Sequence, residues 1–351
     1  MGTGSDRKKR IAFIAHWVEN WNWLLWNFPD LHTHPERHPR LGCLWPLYTS
    51  MSLHYLLSNK THDIVDTFSF NGCVECDTVL LRNFAWHFLI PGYRDKIRER
   101  LVDAVLHAQE NSHVIGLGAL TKAEWLTQGG AWLIKRLGGQ LRVPIVHGDT
   151  LTAAVVFRQA LSVLSRVDGG PVFITGATSK IGRAVVLSLA KQQIPVRMFT
   201  QSHERFDSIR EEARGFERYI SRADSLEDGV SCALWITGKA IPNGSELVKA
   251  IPDGTAVLNF SVPNPLHTAA CMPTRRINVF EGGLLAYDPT ATDIRFTMRL
   301  VPGLTYACHA GTMVHAYRGW THHEVGPVNL NLMAETLKAA QELGFSVPLI
   351  K

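Results

Sequence analysis

Residues 305–326, TYACHAGTMVHAYRGWTHHEVG, place Cys308, His309, His315, His322 and His323 close together in the chain. A thiol with imidazoles beside it can act as a nucleophile with acid/base helpers, because a nearby imidazolium lowers a thiol pKa from about 8.5. On a helix His315 stands two turns beyond Cys308 and on the same face. His322 and His323 follow the Gly319-Trp320 break, from which they could fold back as proton donors. The spacing suits zinc poorly: C-x6-H followed by H-H has no compact ligand pair and no second cysteine, so no metal is expected. The residues alone leave Cys308 open between a nucleophile and a small apolar residue buried in a core.

A second stretch carries its own chemistry. TGATSKIG follows the apolar VFI and opens the helical pattern RAVVLSLA. Small residues between a strand and a helix let the backbone approach a pyrophosphate at the helix N-terminus. The G-x-x-G-x-x-G form keeps Gly176 and Gly182 and has Ser179 in the middle place; Thr178, Lys180 and Ile181 complete the loop. The next strand ends in MFTQSHER, where an NAD-selective site would place a carboxylate for the ribose hydroxyl. Here stand Thr200, Gln201 and Ser202 with Arg205 close behind, so NADPH is the expected cofactor.

The elements that would position these residues read as α/β. From 170 the pattern is strand, glycine turn, helix, strand, with further strands at 232–238, 255–262 and 277–283. The expected fold is a Rossmann-like doubly wound parallel sheet preceded by an α/β substrate-binding domain. The expected boundaries are 1–150 for the acyl-substrate-binding domain, 151–320 for the NADP-binding domain carrying the cysteine, and 321–351 for a C-terminal helical segment. In the first domain 10–16 reads as a buried strand. Residues 17–28 then read as a helix with Trp17, Trp21, Leu24, Leu25 and Phe28 on one face, a core stripe or a lipid-lining wall. Residues 62–84 read as a hairpin about Asn71-Gly72. In its strand Cys73 and Cys76 would point to opposite faces, so the C-x-x-C pair is not expected to bind one metal. The group His32, His34, His38 and Cys43 reads as a polar loop. Helices are expected at 94–112, 151–167 and near the C-terminus.

Bulk properties limit the partners. The chain has 351 residues, 46% hydrophobic and 19% charged, with a net charge of +5. Such a mild excess speaks for solubility rather than nucleic-acid binding. There is no signal-peptide core and no apolar run long enough to span a bilayer, so a soluble cytoplasmic protein with reduced thiols is expected, with peripheral membrane contact left open.

Two resemblances add to this. TGATSKIGRA together with ACHAGTMVHAYRGWTHHEVG resembles the C-terminal domain of the plant eceriferum (glossy) wax-synthesis proteins. That likeness covers the C-terminal domain alone, so the iron-dependent chemistry of their membrane-bound half is not carried over. A longer resemblance is to the cyanobacterial long-chain acyl-ACP reductases. It rests on FIAH, LHAQENSHVIGLGALTK, HGDTLTAAVVFRQA, the glycine loop, EGGLL and YACHAGTMVHAYRGW. It implies NADPH-dependent reduction of a fatty acyl-ACP or acyl-CoA to a fatty aldehyde, with Cys308 as the acyl carrier and a histidine as helper. The partners it implies are acyl carrier protein and an aldehyde-processing oxygenase downstream. The alternative is a non-catalytic lipid- or aldehyde-binding subunit. An ordinary short-chain dehydrogenase is disfavoured, because Tyr219, Tyr287, Tyr306 and Tyr317 each lack Lys four residues on.

Overall fold

RIAFIAH is almost wholly apolar because the strand it forms, β1 (Lys9–Trp17), is buried on both faces at the centre of a sheet. The computed structural model describes residues 8–17, 52–167, 169–238, 244–261, 276–298 and 300–350. The chain divides into two units, Met1–Gly148 with Tyr287–Gly326, and Asp149–Ala286 with Pro327–Lys351. This differs from the expected boundaries: the segment carrying Cys308 belongs with the N-terminal residues, and only 327–351 of the expected tail joins the glycine-loop unit.

The sheet of the first unit is built from β1, β2 (His62–Phe70), β3 (Val74–Phe84), β4 (Val114–Leu117) and β5 (Ile145–Val146), in the order β2-β3-β1-β4-β5. All neighbours are parallel except the hairpin β2-β3. Its turn uses Asn71 and Gly72, both left-handed at φ 48° and 66°, which matches a hairpin's twist. Ala12, Ile14, Ile115 and Leu117 face helices α1 (Arg94–Ala108) and α2 (Ala131–Leu137). Phe13 faces the other way, where its ring lies 4.4 Å from His309. Trp17 is the buried last residue of β1 rather than the start of a helix, because β1 runs on to pair with Phe84. The rest of the expected aromatic helix, the 32–38 histidines and Cys43 lie outside the described residues.

The second unit begins with α3 (Asp149–Leu164). Its strands β6 (Val172–Thr175), β7 (Val196–Phe199), β8 (Ile220–Ala223), β9 (Leu234–Thr237), β10 (Ala256–Asn259) and β11 (Asn278–Glu281) form an all-parallel sheet. Its order is β11-β10-β9-β6-β7-β8, which from β6 is the 3-2-1-4-5-6 arrangement of a doubly wound nucleotide-binding fold. Alternation divides the core: Val172 and Ile174 pack with α4 (Lys180–Lys191) and α5 (His203–Glu212), while Phe173 packs with Trp235 and α6 (Gly244–Ala250). The Rossmann-like fold expected from the sequence is the one observed, preceded by an α/β unit as expected. Two further helices of ten residues or more stand among the described residues, α7 (Ala307–Tyr317) in the first unit and α8 (Met333–Glu342) in the second. No helix among the described residues is long and apolar enough to cross a membrane.

Candidate active site

Each unit holds one candidate half of the chemistry. In the second, β6 ends at the strand-order reversal, where β6 lies between β9 and β7 and open α/β sheets bind ligands. Gly176 turns the chain at φ 68°. Gly182 is required by packing, since a Cβ there would lie 2.2 Å from the Gly176 carbonyl oxygen. Ser179 caps α4, its hydroxyl accepting from the Gly182 N–H at 3.1 Å. Thr178 and Ile181 are half-buried beside it. A small-residue turn delivering backbone to a helix N-terminus fits a dinucleotide pyrophosphate.

The loop's cation is already engaged. Lys180 Nζ lies 3.4 Å from Asp149 Oδ2, whose side chain is 3% exposed. At the end of β7, Thr200 Oγ1 accepts from the Ser202 N–H at 3.2 Å, and Ser202 Oγ caps α5 by accepting from the Arg205 N–H at 3.3 Å. The Arg205 side chain is exposed.

In the first unit α7 lies on the sheet at two glycines. A Cβ on Gly116 would meet Thr312 Oγ1 at 2.2 Å, and one on Gly148 would meet the Cys308 carbonyl oxygen at the same 2.2 Å. Gly148 is left-handed at φ 67°, just past β5. Cys308 thus sits in the first turn of α7, half-buried, its backbone against the carboxyl edge of the sheet. Thr312 Oγ1 donates back to the Cys308 carbonyl at 3.2 Å. The helix N-terminus carries partial positive charge, an environment that favours a thiolate. The other described cysteines differ: burial pushes the thiols of Cys76 and Cys232 up, and Cys73 lies in the exposed hairpin turn.

The histidines are placed otherwise than expected. His309 is 1% exposed, with Nε2 3.2 Å from Cys76 Sγ and its ring edge-on to Phe68. Burial lowers its pKa to about 3, so it is neutral and supplies no imidazolium. His315 is lowered to about 4, first by burial, and its Nε2 bonds the His322 carbonyl at 2.9 Å. Seven helical residues span ~10 Å, which puts it far from the thiol. His323 is also lowered by burial and by His322, and its Nδ1 accepts from the Ile145 N–H at 3.1 Å. His322 is exposed.

A group not singled out from sequence supports the Cys308 turn. His147 is fully buried, with Nδ1 3.0 Å from Glu324 Oε1 and Nε2 3.1 Å from the Gly326 carbonyl. Its own N–H donates to the Glu324 carbonyl at 2.9 Å, and Lys122 Nζ donates to its carbonyl at 2.8 Å. These bonds fix the residue preceding Gly148. The signal in the sequence was HGDT itself, a polar run with glycine at the close of a buried strand. Among the described residues no group of three metal-ligating side chains converges.

Comparison with known proteins bears on both units. Residues 172–347 match the family model described as "CER1-like, C-terminal domain". The chain is 33% identical over 310 residues to "Very-long-chain aldehyde decarbonylase GL1-2" of Oryza sativa subsp. japonica, covering 86% of this chain and 46% of that protein. It is 31% identical over 351 residues to "Very-long-chain aldehyde decarbonylase GL1-1" of Oryza sativa subsp. indica, covering 97% and 54%. The chain therefore spans about half the length of these relatives. Among solved structures, quinate dehydrogenase from Corynebacterium glutamicum in complex with NAD aligns over 95% of this chain and 99% of its own, at 12% identity and a TM-score of 0.39.

Proposed function

The chain belongs to the family of the CER1-like C-terminal domain, and from that premise we propose that it is an NADPH-dependent oxidoreductase of long-chain aldehyde metabolism. Its reaction is the reduction of a fatty acyl-ACP or acyl-CoA to a fatty aldehyde, through an acyl group carried on Cys308. The observation that carries the reading is the placement of Cys308: half-buried, in the first turn of a helix, with Gly148 clearing space for its backbone. The relatives are named for long-chain aldehydes, the product class of this reaction.

The Cys308 thiolate attacks the thioester carbonyl and expels the carrier thiolate, which takes a proton from water. One thioester replaces another at little thermodynamic cost. The glycine loop would hold a nicotinamide cofactor, whose chemistry there would be to supply a hydride. Its addition to the acyl carbon leaves an alkoxide on the sulfur-bearing carbon, and collapse of that alkoxide breaks the C–S bond to give aldehyde and free thiolate. The cycle begins and ends with thiolate, so it requires no imidazolium beside Cys308, in keeping with the neutral His309 and His315. The amides of the first turn of α7 are suited to hold the developing oxyanion. Gly176, Ser179 and Gly182 would hold the pyrophosphate, and Arg205 a 2′-phosphate.

A second reading is a non-catalytic lipid- or aldehyde-binding subunit, favoured by the burial of His309 and His315, which are neutral and bonded elsewhere. Incubation with stearoyl-ACP or stearoyl-CoA and NADPH decides between them. The reductase reading expects octadecanal by mass spectrometry, one NADPH consumed per aldehyde. Octadecanal binding without any aldehyde formation would establish the second reading instead.

A further inference from the structure

At the opposite end of α7 from Cys308, the first unit contains a cavity of about 410 Å³ that the proposed reaction does not use. It lies at the amino edge of the sheet, and its volume is that of an ordinary small-molecule pocket. Val114, Val143 and Trp320 give it an apolar floor, and its polar lining includes Lys9, His113, Arg142 and His323. No carboxylate lines it among the described residues.

Backbone groups hold both histidines. The Ile145 N–H donates to His323 Nδ1 at 3.1 Å, and the Arg10 N–H donates to His113 Nδ1 at 3.1 Å. A backbone N–H cannot accept, so the His323 ring holds its lone pair at Nδ1 and its proton at Nε2. Trp320 is fixed by the end of α7, where its N–H bonds the His315 carbonyl at 3.1 Å and the Gly319 N–H bonds the Ala316 carbonyl at 2.9 Å, with Gly319 left-handed at φ 66°.

The charge count selects the ligand. Arg142 is paired with Glu110, and burial keeps His323 below its ordinary range and neutral. Lys9 is exposed and has no ion-pair partner among the described residues. The Lys9 charge, with no carboxylate in the lining and the negative end of a helix beside it, suits a monoanion better than a dianion. From the apolar floor, a polar lining without carboxylates and the Lys9 charge, we infer that the cavity binds an amphipathic monoanion, a carboxylate head on a short alkyl tail.

Calorimetry on the full chain tests this with three probes: sodium decanoate below its self-association limit, 1-decanol and inorganic phosphate. Decanoate is expected to bind one to one, and decanol and phosphate about tenfold or more weakly, having lost the charge or the tail. Lys9→Gln should weaken decanoate about tenfold, and Val143→Asp should abolish it by placing a carboxylate on the floor. Both variants are checked by thermal melting, and a diazirine analogue of decanoate should label the peptides around 141–146 or 316–321 whether or not Val143→Asp folds. Cys308→Ala should bind decanoate unchanged, which separates this cavity from the proposed acyl site. Phosphate or decanol binding as tightly as decanoate overturns the assignment. So does labelling elsewhere, or decanoate affinity unaltered by Lys9→Gln.

Discussion

The helix after the glycine loop and the helix that carries Cys308 both begin beyond the carboxyl edge of a parallel sheet, yet their first turns are finished differently. In α4 the Ser179 hydroxyl satisfies the Gly182 N–H, and the loop closes so tightly that position 182 tolerates no Cβ. In α7 the preceding Tyr306 provides no side-chain cap, and the close approach comes from outside the helix, at Gly148. A capped, closed turn presents a fixed rim of backbone to a bound diester. A turn without a side-chain cap and with a thiol in it sets the positive end of the helix beside the sulfur. The same feature of helices is thus suited to binding in one unit and to reaction in the other.

Breaking the reactive side should have the largest effect. Cys308→Ala is expected to abolish both the acyl adduct, seen by intact mass after incubation with stearoyl-CoA alone, and aldehyde formation, while leaving NADPH binding as in the wild type. Full reductase activity in this variant would end the covalent mechanism. Next in size are the two glycines. Gly148→Ala strains a left-handed residue and drives a Cβ into the Cys308 carbonyl, and Gly182→Ala drives one into Gly176; each should cost more than ~2 kcal/mol locally. The expected pattern is crosswise: Gly148→Ala loses the adduct but still titrates with NADPH, and Gly182→Ala does the reverse. If both variants lose both readouts together, the two turns are not separable and the contrast between them fails.

The glycine loop is legible because its chemistry is contiguous. Strand, turn and helix occupy 172–191, and one pass along the chain meets every residue of the cradle. The Asn71-Gly72 turn is legible for the same reason. The Cys308 site is assembled from distant segments. Glu324 bridges to Val146 in the first unit's sheet, and Gly148 meets Cys308 across nearly half the chain's length. No local pattern marks such pairings, so the sequence assigns 287–320 to the wrong unit and passes over His147. The charge state of the histidines is not legible because it depends on burial. His309 lies against Phe13, Phe68 and Cys76, and nothing in CHAG reveals that company.

That difference in histidine use should separate the units in acid. Burial lowers His16 to about 4 and His309 to about 3, and both side chains belong to the first unit. Folded, they stay neutral; unfolded, they take up protons below about 6.5. Their contribution is therefore complete above pH ~6.5 and declines as pH falls toward 4 and then 3, by about 1.4 kcal/mol per pH unit for each group. In the second unit the described histidine, His203, is exposed. Hydrogen exchange at pH 7 and pH 5, corrected for intrinsic rates, should show residues 9–17 losing protection by on the order of a few kcal/mol while 172–175 lose less. Equal losses in both segments would mean that acid acts on the chain as one cooperative body.

The smallest expected effect sharpens the binding side. Thr200 and Ser202 each commit their oxygen to a backbone N–H, and Lys180 is held by Asp149, so Arg205 is the exposed cation left at the end of β7 to recognise a 2′-phosphate. Arg205→Ala should weaken NADPH by about 1–3 kcal/mol, the worth of a charge-assisted bond, and leave NADH nearly unchanged. Arg205→Lys should recover part of the loss, since it restores the charge but not the planar fork. Lys180→Met should behave oppositely: it leaves a buried Asp149 carboxylate without this partner, so it should lower the melting temperature and affect both cofactors alike. Fluorescence titration of the variants with NADPH and NADH reads all of these outcomes. If Lys180→Met changes the preference between cofactors and Arg205→Ala does not, the 2′-phosphate is read inside the glycine loop, and the loop is then a selective site rather than only a cradle for the pyrophosphate.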